Sequence, residues 1–597
     1  MRQAVFTAPI LILCLLSTPP IKAQPSQAVE TIPVNQIHAG MRGVAYTVFQ
    51  GTKPESMDVE VLGVLKNANG PKGDVILVRL GGAKAEYSGV VAGMSGSPVY
   101  LNGKLAGALA FRIGEFSKEP IAGVTPIAEM LEISALDHSP APEPLQVKAV
   151  AQTPTKTGGP GAPSHAVVDG FASYLTPIET PLVFSGFSED VVQRFAPQFS
   201  AAGITPVMGA GSVSDEKQPE AIEPGSAVSA ILVRGDMDIA ATCTVTYMDA
   251  DHLLACGHPL MQFGMIDLPM TKAQVLATLP SPLNAFKIVN ATEPVGAFVQ
   301  DRHNGILGEF GKKPEMIPVT LTIHGESADK QFHYEVLNNA RLSPVAMMAT
   351  VFNALHGVNE YGEETTYHMN GSISVQGYPD VTMRNMFAAV DGGQPGAMLA
   401  AASLGERFSR IYDNPYSVPA IRGVELNFDI VHERRWARLE SARTDITEAR
   451  PGDDIAIEAL LRPYRGDGVV QRIPIHIPTS ASKGPLRILV SDGETLDHLR
   501  RGSSAMGRKL DLASTIAFLN KEHGNNRVYV SLLEADPEAM IADKVMPTLP
   551  LSIMNVLDGM RGTQDMVVSS ESSVSETASA PLDCVVSGAQ VLTINIK

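Results

Sequence analysis

Between Ile32 and Leu136 short apolar runs alternate with turn residues: DVEVLGVL, DVILVRL, SPVYL and KLAGALAF. Runs of this length, rich in Val, Ile and Leu and bounded by Gly, Pro, Asn or Asp, predict strands. Asn102-Gly103 joins the last two as a two-residue hairpin, because both positions tolerate the positive φ that such a turn needs. Residues 137–165, rich in Pro, Gly, Thr and Ala, carry no apolar period and predict a linker. From 166 to 405 the pattern is mixed. SEDVVQRFAPQFSAAG, closing on Gly203, and PVAMMATVFNALHG have helical spacing, whereas SAVSAILVRG, IPVTLTIHG and FHYEVLN are strand-like. ATCTVTYMDADHLLACGHPL predicts a hairpin with Asp249-Ala250 at its tip, pairing Val245 with Leu254 and Cys243 with Cys256. Residues 406–597 become spaced strands with a Pro451-Gly452 turn, which predicts a C-terminal β-sandwich domain.

Length and composition agree with that pattern. A chain of 597 residues exceeds one compact core, and 52 Gly with 43 Pro suit many short strands and turns. The expectation is a mainly β protein. A net charge of −17 excludes nucleic acid and anionic membrane surfaces as partners, since a polyanion needs a basic face. The first 23 residues pair Arg2 with an apolar stretch over 8–16 and a small-residue site at Ala23, which predicts a cleaved signal peptide and an exported, periplasmic or extracellular, protein. No later run reaches the length of a membrane span. In an oxidising compartment the facing Cys243 and Cys256 permit a disulfide, with two buried free thiols as the alternative; neither belongs to a Cys-x-x-Cys pair.

Candidate chemistry centres on GVVAGMSGSPVYLNGKLAGALAF, residues 89–111. A serine hydroxyl becomes a nucleophile only beside a base, with backbone N–H groups aimed at the developing oxyanion. The glycines around Ser95 allow a turn tight enough to direct the Gly93 and Ser95 amides to one spot, although a structural turn reads the same way. The candidate base is His258, in CGHPL, where Gly257 and Pro259 let a side chain leave the strand end. Metal-binding and phosphate-binding motifs are absent, and His356, Glu360 and His368 lack a recognised ligand spacing. No metal or other cofactor is expected.

The serine segment resembles the Gly-Met-Ser-Gly-Ser-Pro segment of the SpoIVB peptidase family, and DIAATCTVTYMDADHLLACGH resembles that family's segment ending in its catalytic Gly-His. The resemblance spans about Ile32 to Phe387. It implies a chymotrypsin-like double β-barrel with Ser95 as nucleophile and His258 as general base, acting on a protein or peptide substrate. Here the serine half, 30–136, precedes the histidine half, 166–405, so the implied order is permuted. The family's aspartate shortly before the serine has no counterpart, only Glu86 nearby. Asp74, Asp249, Asp251 and Asp301 are other candidates, each with an ordinary structural role, and a dyad oriented by a backbone carbonyl is a further option. The alternative from another class is an inactive barrel serving as an envelope scaffold.

Overall fold

The computed structural model describes residues 29–597 apart from 115–118, 136–174, 181, 202–205, 210–212, 214–215, 262–263, 282–284, 326–327, 359–363, 390–392, 505–509, 542–543, 547–549, 551, 554–555 and 557–565. The predicted signal peptide, and the predicted linker at 137–165, lie outside the described residues. Strands take 50% of the chain and helices 18%, which makes the protein mainly β.

Six strands close the first barrel: β1 (Arg42–Thr47), β2 (Glu55–Leu65), β3 (Val75–Gly81), β4 (Pro98–Leu101), β5 (Lys104–Ile113) and β6 (Ile121–Pro126). Their order is β1-β2-β3-β6-β5-β4, with β4 returning to β1. Alternation drives the closure. Met57, Val59 and Val61 on β2, and Ile76, Val78 and Leu80 on β3, turn into one core with Ala45, Leu101, Leu109 and Val124. The Asn102-Gly103 hairpin forms as expected, with φ of 50° and 77° and Leu101 facing Lys104. Helices α1 (Ala83–Ser88) and α2 (Ile127–Ala135), which alternation did not predict, flank the barrel.

The chain then adds β7 (Leu175–Pro177) to β5 and enters a larger sheet through β8 (Leu182–Ser185), helix α3 (Glu189–Ala201) and β9 (Pro206–Met208). Strands β10 (Ala227–Gly235), β11 (Asp238–Met248), β12 (His252–Ala255), β13 (Gly264–Leu279), β14 (Phe286–Arg302) and β15 (Gly305–Phe310) close a second barrel in the order β10-β11-β12-β15-β14-β13. Numbered within its own barrel this is again 1-2-3-6-5-4, so one topology occurs twice. The long β13–β14 hairpin reaches across to the first barrel, where Val275 bridges Gly51 and Phe286 bridges Ala92.

Beyond this barrel, β16 (Met316–His324), β17 (Lys330–Leu337), helix α4 (Ser343–Val358), β18 (Thr366–Val375), β19 (Val381–Ala388), helix α5 (Gly396–Tyr412) and β20 (Ile421–Val431) extend the same sheet. The extension starts where β17 pairs with Val233–Gly235 of β10 and contains a parallel β16–β20 pair. Helix α3, on the stretch read as helical up to Gly203, packs with α4 and α5 on the apolar face of this sheet. After Val431 the strands Trp436–Arg443, Asp454–Pro463 and Val469–His476 form one sheet, and Gly484–Ser491 pairs with Ala589–Ile596 in another. Leu439, Ile457 and Ile473 from the first share one core with Ile488, Val530 and Ile594 from the second, which is how a β-sandwich buries its two inner faces.

Candidate active site

The serine loop is built by glycines and by the opposite barrel. Gly93 and Gly96 hold φ near 91° and 93°, conformations that side chains rarely adopt. Between them Met94 is fully buried and its carbonyl accepts from the Ser97 amide at 3.0 Å and the Ser97 hydroxyl at 2.6 Å. Strand β11 lies across the loop: Thr244 N donates to Ser95 O at 2.8 Å and the Thr244 hydroxyl to Gly93 O at 3.0 Å. A Cβ on Gly96 would stand 1.9 Å from Thr244 O and 2.6 Å from Cys256 N, so only glycine lets the barrels meet here.

These contacts also set the amides. The Ala92 carbonyl accepts from Lys287 N at 3.2 Å, and a trans peptide directs the Gly93 N–H to the opposite side. The Met94 carbonyl, held by Ser97, does the same for the Ser95 N–H. Neither the Gly93 nor the Ser95 amide hydrogen-bonds another described residue, which leaves both free to meet an oxyanion.

His258 follows the β11–β12 hairpin. That hairpin forms as predicted, but its register differs. The Asp249 carboxylate accepts from the Asp251 amide at 2.9 Å and the His252 amide at 2.8 Å, which moves the tip to Ala250-Asp251 and pairs Met248 with Leu253. A register shift between Val245 and Tyr247 then aligns Val245 with Ala255 instead of Leu254. The Cys243 and Cys256 sulfurs are joined in a disulfide, 5.3 Å apart at Cα. Cys256 and Gly257 take left-handed φ of 68° and 69° in succession, and the Gly257 carbonyl accepts from the Thr125 hydroxyl at 2.7 Å. This reversal swings the next side chain into the first barrel.

There His258 Nε2 lies 2.7 Å from Ser95 Oγ, and Ser95 Oγ also lies 2.7 Å from the Cys256 carbonyl. Nδ1 lies 2.7 Å from the Pro259 carbonyl. A carbonyl only accepts, so Nδ1 carries the proton and Nε2 presents its lone pair to the serine. Both side chains are buried. Desolvation holds the imidazole below its ordinary pKa, against the backbones of Pro259, whose carbonyl accepts from the ring, and Ile178, which favour the charged form. The ring is therefore a neutral base at neutral pH.

No carboxylate touches the ring among the described residues. The buried Asp301 accepts from Leu260 N at 2.8 Å and Met261 N at 2.6 Å, and so shapes the loop just after His258. Asp74 pairs with Lys66 at 2.6 Å, Glu86 accepts from Gly82 N at the start of α1, and Asp249 and Asp251 stay at the hairpin tip. Of the groups the sequence offers to orient His258, the arrangement contains the backbone carbonyl. His356 pairs with Asp190 at 2.9 Å, and no group of metal ligands occurs among the described residues.

One residue at the site escapes the sequence patterns. Lys287 is 1% exposed, donates to the Thr47 hydroxyl at 2.6 Å, and faces no carboxylate among the described residues. Burial alone pushes its ammonium down to about 7. Its stem lies 3.3–3.5 Å from where a Gly93 Cβ would be. The available signal is alternation: Lys287 shares the inward face of β14 with Val289 and Ala291, a place where a lysine is out of pattern.

No helix among the described residues is long and apolar enough to cross a membrane. No curated protein and no solved structure matches the chain. Residues 15–130 match the family model described as SpoIVB peptidase S55; His258 lies beyond the match, and the structure brings it to Ser95 from the second barrel. The segment that carries Ser95 is thus similar to the SpoIVB peptidase S55 family, a likeness at family level to serine peptidases.

Proposed function

We propose that the protein is an exported serine endopeptidase in which Ser95 attacks a peptide carbonyl and His258 serves as general base. The observation that carries this reading is the 2.7 Å contact between Ser95 Oγ and His258 Nε2. The serine proton passes to Nε2 as the Oγ–carbon bond forms, and the imidazolium returns a proton to the departing amine. The Gly93 and Ser95 amides hold the oxyanion, each such donor contributing about 3 kcal/mol to the transition state. The Pro259 carbonyl at Nδ1 fixes the tautomer and takes the place of a triad acid. Water then hydrolyses the acyl-enzyme with the same base.

The disulfide beside His258 suits an oxidising compartment, periplasmic or extracellular. In this reading the two barrels are one catalytic unit, the sheet up to Val431 braces it, and the C-terminal sandwich is a separate domain. Hydrogen-bond contact between base and nucleophile favours the enzyme over an inactive scaffold. The test is covalent labelling by a fluorophosphonate: wild type should label, and Ser95→Ala and His258→Ala should not. Equal labelling of Ser95→Ala would overturn the assignment.

A further inference from the structure

Three features converge on the segment from Leu175 to Glu179. Strand β7 runs antiparallel along the free end of β5, with Phe111 facing Pro177, Arg112 facing Thr176 and Ile113 facing Leu175. The pairing continues one step past the strand, where Ile178 N donates to Ala110 O at 2.8 Å. Secondly, the segment lies beside the reacting groups: the Ile178 backbone is one of the groups that favour the charged form of the buried His258 ring. Thirdly, it is anchored at its end by side chains. Thr176 and Pro177 are exposed, whereas Ile178 is 1% exposed and belongs to the buried cluster that contains Val91, Met94 and Leu109 from around the serine loop. Glu179 pairs with Arg112 at 3.1 Å.

Main-chain pairing to a strand edge with one side chain in a pocket is the way extended peptides are recognised by β-augmentation. Here that mode ends at a serine and a histidine. Ser95 is fully buried, so a substrate must displace part of the surrounding chain to reach it.

We propose that Leu175–Ile178 fills, as a tethered substrate-like strand, the groove through which the Ser95 site takes extended peptides, and that the groove selects an aliphatic side chain at the position of Ile178. The inference rests on the peptidase reading above. The tether competes with substrate at high effective concentration, and the site opens by as much as the segment is displaced. Selection follows from shape and charge: Ile178 sits in one apolar cluster with Val91, Met94 and Leu109, where a cationic side chain would be buried at high cost.

Fluorophosphonate labelling of Ile178→Gly, with its melting temperature recorded, tests the tether. The variant keeps the chain path and removes the anchor, and should label about tenfold faster than wild type. The specificity is tested on the same variant with two peptide aldehydes, acetyl-Leu-Thr-Pro-isoleucinal and acetyl-Leu-Thr-Pro-argininal. The first should block labelling at a concentration at least tenfold lower than the second, a comparison independent of any loss of stability. Equal labelling rates together with equal blocking by the two aldehydes would overturn the inference while leaving Ser95 as nucleophile. Absence of labelling in both folded proteins would instead overturn the peptidase reading itself, and this inference with it.

Discussion

Ser95 Oγ stands 2.7 Å from His258 Nε2, although 163 residues and a change of barrel separate them. Each residue sits on the crossing between the third and fourth strand of its own barrel: Ser95 between β3 and β4, His258 between β12 and β13. Two copies of one topology thus face each other through equivalent loops. The reversed order along the chain is immaterial to that geometry, because a site is defined by positions and roles.

The burial of His258 fixes the direction of its pH dependence. Its folded pKa lies below the ordinary 6.5 because desolvation disfavours the imidazolium. The base is therefore neutral at pH 7, and labelling of Ser95 should fall only as the pH drops below 6.5. The stability term has the same sign: the unfolded imidazole takes up a proton before the folded one, so stability is lost as pH falls below 6.5. The Cε1 proton resonance of His258, followed against pH, reads the folded value directly. A midpoint at or above 6.5 contradicts this account.

Asp301 supports the base through its loop and does not contact the ring. Asp301→Asn keeps one acceptor and removes the charge shared by Leu260 N and Met261 N. The expected cost is roughly 1.5–3 kcal/mol of stability, with a labelling rate within about tenfold of wild type in the folded protein. A triad aspartate replaced by asparagine costs about 10⁴-fold. A loss of that size would make Asp301 the orienting acid.

Much of this arrangement is legible in the sequence where a pattern is local. Alternation in DVEVLGVL and DVILVRL marks β2 and β3, Asn102-Gly103 marks the hairpin, and the glycines at 93 and 96 mark a loop no other residue could make. Chain-distant contacts are not legible. Nothing near Gly96 announces that Thr244 O will press on it, and nothing in the His258 motif says that the backbone of Ile178 will lie beside its ring. The hairpin register is off by up to two positions because the Asp249 side chain caps the turn, an interaction the two-residue rule omits. Helices α1 and α2 are short enough that their apolar positions merge with neighbouring strand patterns. Lys287 is visible only once β14 has an inward face.

The barrel seam predicts a contrast between two glycines. Gly96→Ala places a methyl group into Thr244 O and Cys256 N at φ near 93°, and should lose about 3 kcal/mol or more through overlap and backbone strain together. Gly103→Ala, at φ 77° with nothing within 4 Å, should lose only about 1 kcal/mol from its left-handed backbone. Thermal unfolding of both variants measures the difference. Similar losses would mean that the barrels do not meet at Gly96.

Lys287 separates what the serine loop needs from what it tolerates. Its amide holds the Ala92–Gly93 peptide whatever the side chain, so Lys287→Met should keep Ser95 labelling within a few-fold. Stability behaves differently. The folded ammonium titrates near 7 and the unfolded one near 10.5, so the unfolded chain alone binds the proton between those values, and wild-type stability falls as pH drops from 10.5 to 7. Below 7 the deficit is constant, at roughly 5 kcal/mol by the conversion of about 1.4 kcal/mol per unit. Methionine fills the same space without a proton to bind. The advantage of Lys287→Met in melting temperature should therefore grow from pH 10 to pH 7 and then level off. An advantage that is independent of pH would assign the effect to packing, and a labelling rate reduced a hundredfold at unchanged stability would give the amine a direct part in holding the oxyanion.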